Sequence, residues 1–85
     1  MNYTVYVLYS YEFDKYYTGQ TNNVKRRLEE HNRGENFSTS WRGPFKLVYY
    51  EAYKSLEDAR ERELALKFRG NSRKHLMNRL FNSLK

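Results

Sequence analysis

Cysteine is absent from this chain of 85 residues, which excludes disulfides and thiolate metal sites and fits a reducing cytoplasm. Proline occurs once and glycine four times. Gly34, Gly43 and Pro44 cluster in the stretch 34–44 (GENFSTSWRGP), which reads as a loop. No apolar run approaches the roughly 20 residues of a membrane span. The start, Met1-Asn2-Tyr3-Thr4, lacks a basic region ahead of an apolar one, so a secretory signal is not expected and the cytoplasm is the expected setting. Repeats, low-complexity tracts and linkers are also missing. Residues 1–85 therefore read as one domain, near the low end of what folds without covalent staples.

Aromatic residues and positive charge are what the chain has in quantity. Nine tyrosines, five phenylalanines and one tryptophan must supply much of the core. Tyrosine suits a half-buried sheet, with its ring packed and its hydroxyl wet. Sixteen Lys and Arg stand against ten Asp and Glu, a net charge of +6, and the pI is near 9.7. A small basic domain attracts polyanions, nucleic acid first among them.

Residues 3–10 (YTVYVLYS) are β-branched and aromatic, as a strand should be, and 11–15 form a polar turn before the extended pattern resumes at 16–19. Asn22 or Asn23 caps a helix that runs to about Asn32 and stops at Gly34. Residues 45–53 (FKLVYYEAY) form the clearest strand. Ser55 caps a second helix that ends at Gly70, read as its C′ residue, and a last helix spans about 72–84. In that last helix Leu76, Met77, Leu80, Phe81 and Leu84 follow helical spacing and are expected in the core. The order is β-β-α-β-α-α, an α/β (α+β) domain whose helices must cover the sheet.

Helical geometry then separates polar residues that composition treats alike. Val24 and Leu28 lie one turn apart and define the packed side of the first helix. At roughly 100° per residue, Arg27 and His31 fall on its flank, while Lys25, Arg26 and Glu30 read as solvated charges. Arg27 is either a structural ion pair or an arginine aimed at a site. In the second helix Glu63 projects between Leu56, Ala59 and Leu66. A carboxylate in an apolar stripe is costly unless it is paired, here with Arg27, or binds a hard divalent cation. Tyr6 and Tyr17 lie on neighbouring strand segments, where phenols either pack across the hairpin or serve phosphate chemistry as donors or bases. Gly19 allows close approach or a positive φ where strand hands over to helix.

Together Thr4-Val5-Tyr6, Tyr17-Thr18-Gly19, Asn23 to Leu28, His31 and Glu63 resemble the GIY-YIG nuclease domain, in the family's order and over about residues 3–68. The likeness is strongest to small standalone bacterial proteins related to the N-terminal nuclease domain of the bacterial excinuclease. The Arg42-Gly43-Pro44 loop leading into Lys46-Leu47-Val48-Tyr49 looks like that subgroup. Thr4 stands where the family has Gly and Thr18 where it has Ile, at strand positions that accept variation.

The resemblance implies a central three-stranded antiparallel sheet and a metal-dependent DNA endonuclease. It assigns Glu63 to one divalent cation, Mg²⁺ or Mn²⁺, Tyr6 to the attacking water as general base, and Tyr17 to the water or a phosphate oxygen. Arg27 would stabilise charge at phosphorus, His31 would support, and Gly19 would be structural at the site. Arg33, Arg42, Lys46, Arg73 and Lys74 are candidate DNA-backbone contacts, which position a strand without reading its sequence. DNA is the expected partner, a second protein could direct the enzyme to its target, and repair or recombination is the expected setting. Two rival readings are a non-catalytic nucleic-acid-binding module on the same scaffold and a small interaction protein for an acidic partner.

Overall fold

The computed structural model of the protein describes residues 2–34 and 44–84. Its elements follow the expected order: β1 (Tyr3–Ser10), β2 (Lys15–Thr21), α1 (Val24–Asn32), β3 (Lys46–Tyr53), α2 (Leu56–Phe68) and α3 (Gly70–Arg79). The strands form one sheet in the order β2-β1-β3, with both pairings antiparallel. The family's three-stranded antiparallel sheet is thus present. Arg42 and most of the 34–44 loop lie outside the described residues.

Strand β1 is central because it carries bulky apolar groups on both faces, a pattern that suits only a strand covered on both sides. Every residue from Thr4 to Ser10 is buried. Val5 and Val7 point to one face, where Ala59 and Leu66 of α2 and Leu76 and Leu80 of the C-terminal region meet them. Tyr6 and Leu8 point to the other, against Phe45, Leu28 of α1, and the half-buried Tyr17 and Leu47. A bulge reconciles β3 with this split. Val7 opposes Tyr49 and Leu8 opposes Leu47, so Val48 has no partner. The extra residue lets Val48 and Tyr49 both pack on the α2–α3 side while Leu47 serves the other.

Local polar contacts set the junctions. In the β1–β2 turn Asp14 takes φ 52, a left-handed conformation that Asp tolerates better than most residues. The Tyr9 hydroxyl donates to its Oδ1 at 2.6 Å. Asn23, not Asn22, caps α1, with Oδ1 accepting the Arg26 N–H at 3.1 Å. Thr21 Oγ1 accepts the Asn23 N–H at 3.1 Å and so fixes where the strand stops and the helix starts. Ser55 caps α2 through the Asp58 N–H at 3.3 Å. Gly34 follows α1 at φ 76, where a side chain would be strained.

Several boundaries differ from the sequence expectation. Pairing across the hairpin draws Lys15, Gln20 and Thr21 into β2, beyond the expected 16–19. Gly70 is not a left-handed C′ residue. Arg69 breaks the helix by turning extended, at φ −101 and ψ 103, and Gly70 opens α3. The last helix, expected over 72–84, spans Gly70–Arg79, and residues 80–84 form turns. The Leu80 N–H is shared between the carbonyls of Leu76 and Met77, each at 3.1 Å, which tightens the chain there. Leu76 and Leu80 stay buried and Met77 and Leu84 pack against them, but Phe81 swings outward and is 64% exposed. No helix among the described residues is long and apolar enough to cross a membrane.

Gly19 lies opposite Tyr6 in the β1–β2 register. A β-carbon there would collide with the Tyr6 hydroxyl oxygen and stand 2.5 Å from Cζ. The glycine is therefore needed for close approach, not for a positive φ. Gly19→Ala is expected to destabilise the fold by about 1–3 kcal/mol, the usual range for forced overpacking. In a Tyr6→Ala background the same change should cost much less, because the colliding ring is gone. Urea unfolding of the four proteins in that cycle measures the coupling.

Candidate active site

The Tyr6–Leu8 face of the sheet brings together Tyr6, Tyr17 and His31. Tyr6 is 2% exposed and His31 is 1% exposed. The Tyr6 hydroxyl and His31 Nε2 are hydrogen-bonded at 3.2 Å. Tyr17 closes the group: its ring lies 4.6 Å from the imidazole and 6.5 Å from the Tyr6 ring, centroid to centroid. Phe45 packs edge-on to His31 at 6.2 Å. Asn32 holds Phe45 in place by accepting its N–H at 2.7 Å and donating to its carbonyl at 3.2 Å. One side-chain amide thereby ties the end of α1 to the start of β3.

His31 is a correction to the sequence reading. Expected on the flank of α1, it is instead fully buried in the helix's last turn. The spacing Val24, Leu28, His31 is the i, i+4, i+7 pattern of one helical stripe, and that signal could have identified it. Burial holds the imidazole pKa below its ordinary value, and the nearby Arg27 charge pushes the same way, against a smaller opposite effect of Glu30. The ring is neutral at physiological pH.

Tyr6 is perturbed in the other direction. Burial pushes its phenol up to about 12, opposed by the Arg27 guanidinium and reinforced by Tyr17 and Glu63. Arg27 therefore sits beside the phenol, and its own pKa is raised by Glu30 first and by Tyr6 second. Its Nη1 donates to Glu30 Oε1 at 3.0 Å. Glu30, expected to be merely solvated, orients the arginine. Arg27 keeps a side-chain exposure of 35%, so part of the guanidinium stays open to a ligand.

Glu63 does not pair with Arg27. Its Oε2 is 3.0 Å from Lys67 Nζ, one turn further along α2, with 21% of the carboxylate side chain exposed. Lys67 also stands 6.0 Å from the centre of the Tyr17 ring and so links the acid to the aromatic group. The sequence reading missed this lysine, although Glu and Lys at i and i+4 are a familiar helical pair. Leu56 is only half-buried, while Ala65 is buried, so the packed side of α2 is rotated from the expected stripe.

The basic residues proposed for DNA are dispersed. Arg33 is exposed at the end of α1, and Lys46 is exposed with its amine 5.9 Å from the Tyr11 ring. Arg73 and Lys74 are exposed on α3; Arg73 borders a groove shared with Tyr17. Arg42 lies outside the described residues.

Comparison with known proteins gives one consistent result. Residues 2–78 match the family model of the GIY-YIG catalytic domain. A UPF0213 protein of Clostridium perfringens is 43% identical over 68 residues, which cover 79% of this chain and 71% of that protein. A UPF0213 protein of Streptococcus agalactiae is 46% identical over 52 residues, which cover 60% of this chain and 59% of the relative's length. The solution NMR structure of a UPF0213 protein from Bacillus halodurans aligns with a TM-score of 0.57 at 36% identity, over 94% of this chain and 85% of that one.

The buried neutral histidine carries a pH signature. Its folded pKa lies below the ordinary 6.5, so its contribution to stability is complete above 6.5 and is lost as pH falls through the folded value. The urea midpoint should therefore drop between pH 7.5 and pH 5.5 in the wild type, and drop less in His31→Gln. Equal pH dependence in both proteins would contradict the assignment.

Proposed function

The chain belongs to the GIY-YIG catalytic-domain family, and from that premise we propose that it is a divalent-metal-dependent endonuclease hydrolysing phosphodiester bonds in DNA. The observation that carries the reading is the Tyr6–His31 hydrogen bond at 3.2 Å, buried beside Arg27 and Tyr17. A structural tyrosine needs one partner for its buried hydroxyl, whereas this one has a histidine, an arginine and a second tyrosine around it.

A phenol held at about 12 is fully protonated at neutral pH and is a poor base in that form. His31, kept neutral by burial, has a nitrogen within reach to receive its proton. Tyr6 would take a proton from the attacking water while passing its own to His31 Nε2, so the phenol is never left as a free phenolate. The new bond forms between water oxygen and phosphorus, and the bond from phosphorus to the leaving sugar oxygen breaks, that oxygen keeping the electron pair and taking a proton from solvent. Arg27 would bind non-bridging phosphate oxygens, where negative charge grows in the transition state, with its aim fixed by Glu30. Tyr17 would pack against the imidazole and donate its hydroxyl to water or phosphate.

Among the described residues no three His, Asp or Glu side chains converge on a common cation position. A single carboxylate nevertheless fits Mg²⁺ or Mn²⁺, since Mg²⁺ keeps several waters and is bound through one or two carboxylates plus substrate phosphates. Glu63 would be that ligand, and the Lys67 ammonium at 3.0 Å is a positive charge already seated against it. When bound, the cation would neutralise charge on the phosphoryl oxygens. The excinuclease likeness of the sequence favours a role in DNA repair or recombination, in the cytoplasm.

Plasmid, branched and single-stranded DNA incubated with Mg²⁺ or Mn²⁺ test the reading. Wild type should cleave at least one of them. Arg27→Ala and Tyr6→Phe should each lose about 10²- to 10³-fold in rate, the range for removing one transition-state donor, and Glu63→Ala should abolish the metal-dependent cleavage. The rate should fall as the pH drops through the His31 pKa, which burial holds below its ordinary value, because only neutral His31 accepts the proton. DNA binding without cleavage under all conditions would favour a non-catalytic binding module instead.

A further inference from the structure

A groove of about 260 Å³ runs beside the candidate active site, between the edge strand β2 and the α2–α3 junction. Tyr16 and Tyr17 form one wall, and Lys67, Phe68, Arg73 and Met77 the other. Two of these residues belong to the site already described. Tyr17 packs on His31, and Lys67 pairs with Glu63. The groove therefore borders the candidate site through Tyr17 and Lys67.

Its chemistry is specific. Among the described residues no acidic side chain lines it. Arg73 makes no ion pair among the described residues, so its guanidinium is available to an anion. Phe68 is 78% exposed, the most exposed large apolar side chain among the described residues, and Tyr16 is 41% exposed. An aromatic ring left this open to solvent forgoes burial worth about 1.5–3 kcal/mol for such a side chain. Aromatic side chains and cations lining one groove match a nucleotide, whose base stacks and whose phosphate needs a positive partner. The volume lies below the roughly 300 Å³ at which ordinary small-molecule pockets begin, and suits one base better than a whole cofactor.

We propose that this groove is a nucleobase subsite, which takes one unpaired nucleotide next to the scissile phosphate, stacks its base on Phe68 and holds its phosphate with Arg73. The proposal rests on the endonuclease reading above and adds to it a preference for substrate with an unstacked base beside the cut. A fully paired duplex keeps its bases stacked inside and offers the groove only its backbone.

Fluorescence anisotropy with a labelled single strand and a labelled blunt duplex, in EDTA so that nothing is cut, tests this directly. Base stacking on an aromatic side chain contributes about 1–3 kcal/mol by alanine substitution, so Phe68→Ala should weaken single-strand binding by about 5- to 100-fold. Duplex binding should change by less than about twofold, and Phe68→Trp should restore the single-strand affinity. Arg73→Ala should also weaken the single strand, and more so at low salt. A 2-aminopurine placed in the strand should be quenched by wild type and not by Phe68→Ala. Phe68 and Arg73 are exposed, so both variants should keep the wild-type circular dichroism.

Unchanged single-strand affinity in Phe68→Ala, or equal losses for single strand and duplex, would overturn the subsite. If wild type nonetheless cleaves DNA, the endonuclease reading survives that result. Wild type that neither binds nor cuts DNA would overturn both. A dimer that Phe68→Ala converts to a monomer would make the groove a self-association surface and likewise overturn the proposal.

Discussion

The Tyr6 side chain lies across the backbone of Gly19 on the neighbouring strand, with no room for a β-carbon between them. From there its hydroxyl reaches His31 on α1. Much of the site follows from that placement. A larger residue at position 19 would lift the ring off the strand and away from the imidazole. With glycine the ring lies flat enough to be buried while its polar end meets a partner, which is what a buried phenol requires.

The partner in turn depends on how α1 is hung. Thr21 ends the strand and Asn23 begins the helix within two residues, so the register of β2 fixes the rotation of α1. At the far end Asn32 clasps the Phe45 backbone with two hydrogen bonds and brings an aromatic edge against His31. These short-range polar contacts hold a helix whose apolar face is small. They also leave His31 and Tyr6 opposed in their shifts: burial favours the neutral form of each, which lowers the imidazole and raises the phenol. Two neutral groups joined by one hydrogen bond in a buried site are an arrangement suited to moving a proton.

Much of this is legible in the chain. The β-branched and aromatic runs mark three strands, Ser55 and an asparagine mark helix starts, and the helical projection flags Glu63 as a carboxylate needing a partner. Where the reading fails, the causes are physical. A face drawn through Val24 and Leu28 alone leaves His31 on its flank, whereas the full i, i+4, i+7 stripe takes His31 into the core. Polarity on two packed sides matches Glu63 with Arg27, yet each finds a nearer partner on its own helix, Lys67 and Glu30, where spacing makes contact cheap. Periodicity counts Phe81 as core, but the helix tightens and ends before it, so the period no longer applies.

The sequence by itself determined the elements, their order and the residue types that carry the chemistry, because these depend on spacing along the chain and on local capping. It also carried the family likeness, through motifs whose members lie far apart in number. Only the tertiary structure decided which of nine tyrosines stands over Gly19, which ring nitrogen faces the Tyr6 phenol, and that Lys67, Phe68 and Arg73 share a groove with Tyr17. Those relations join residues from different elements. They are set by strand register, by the rotation of each helix and by burial, none of which exists until the sheet and helices have packed.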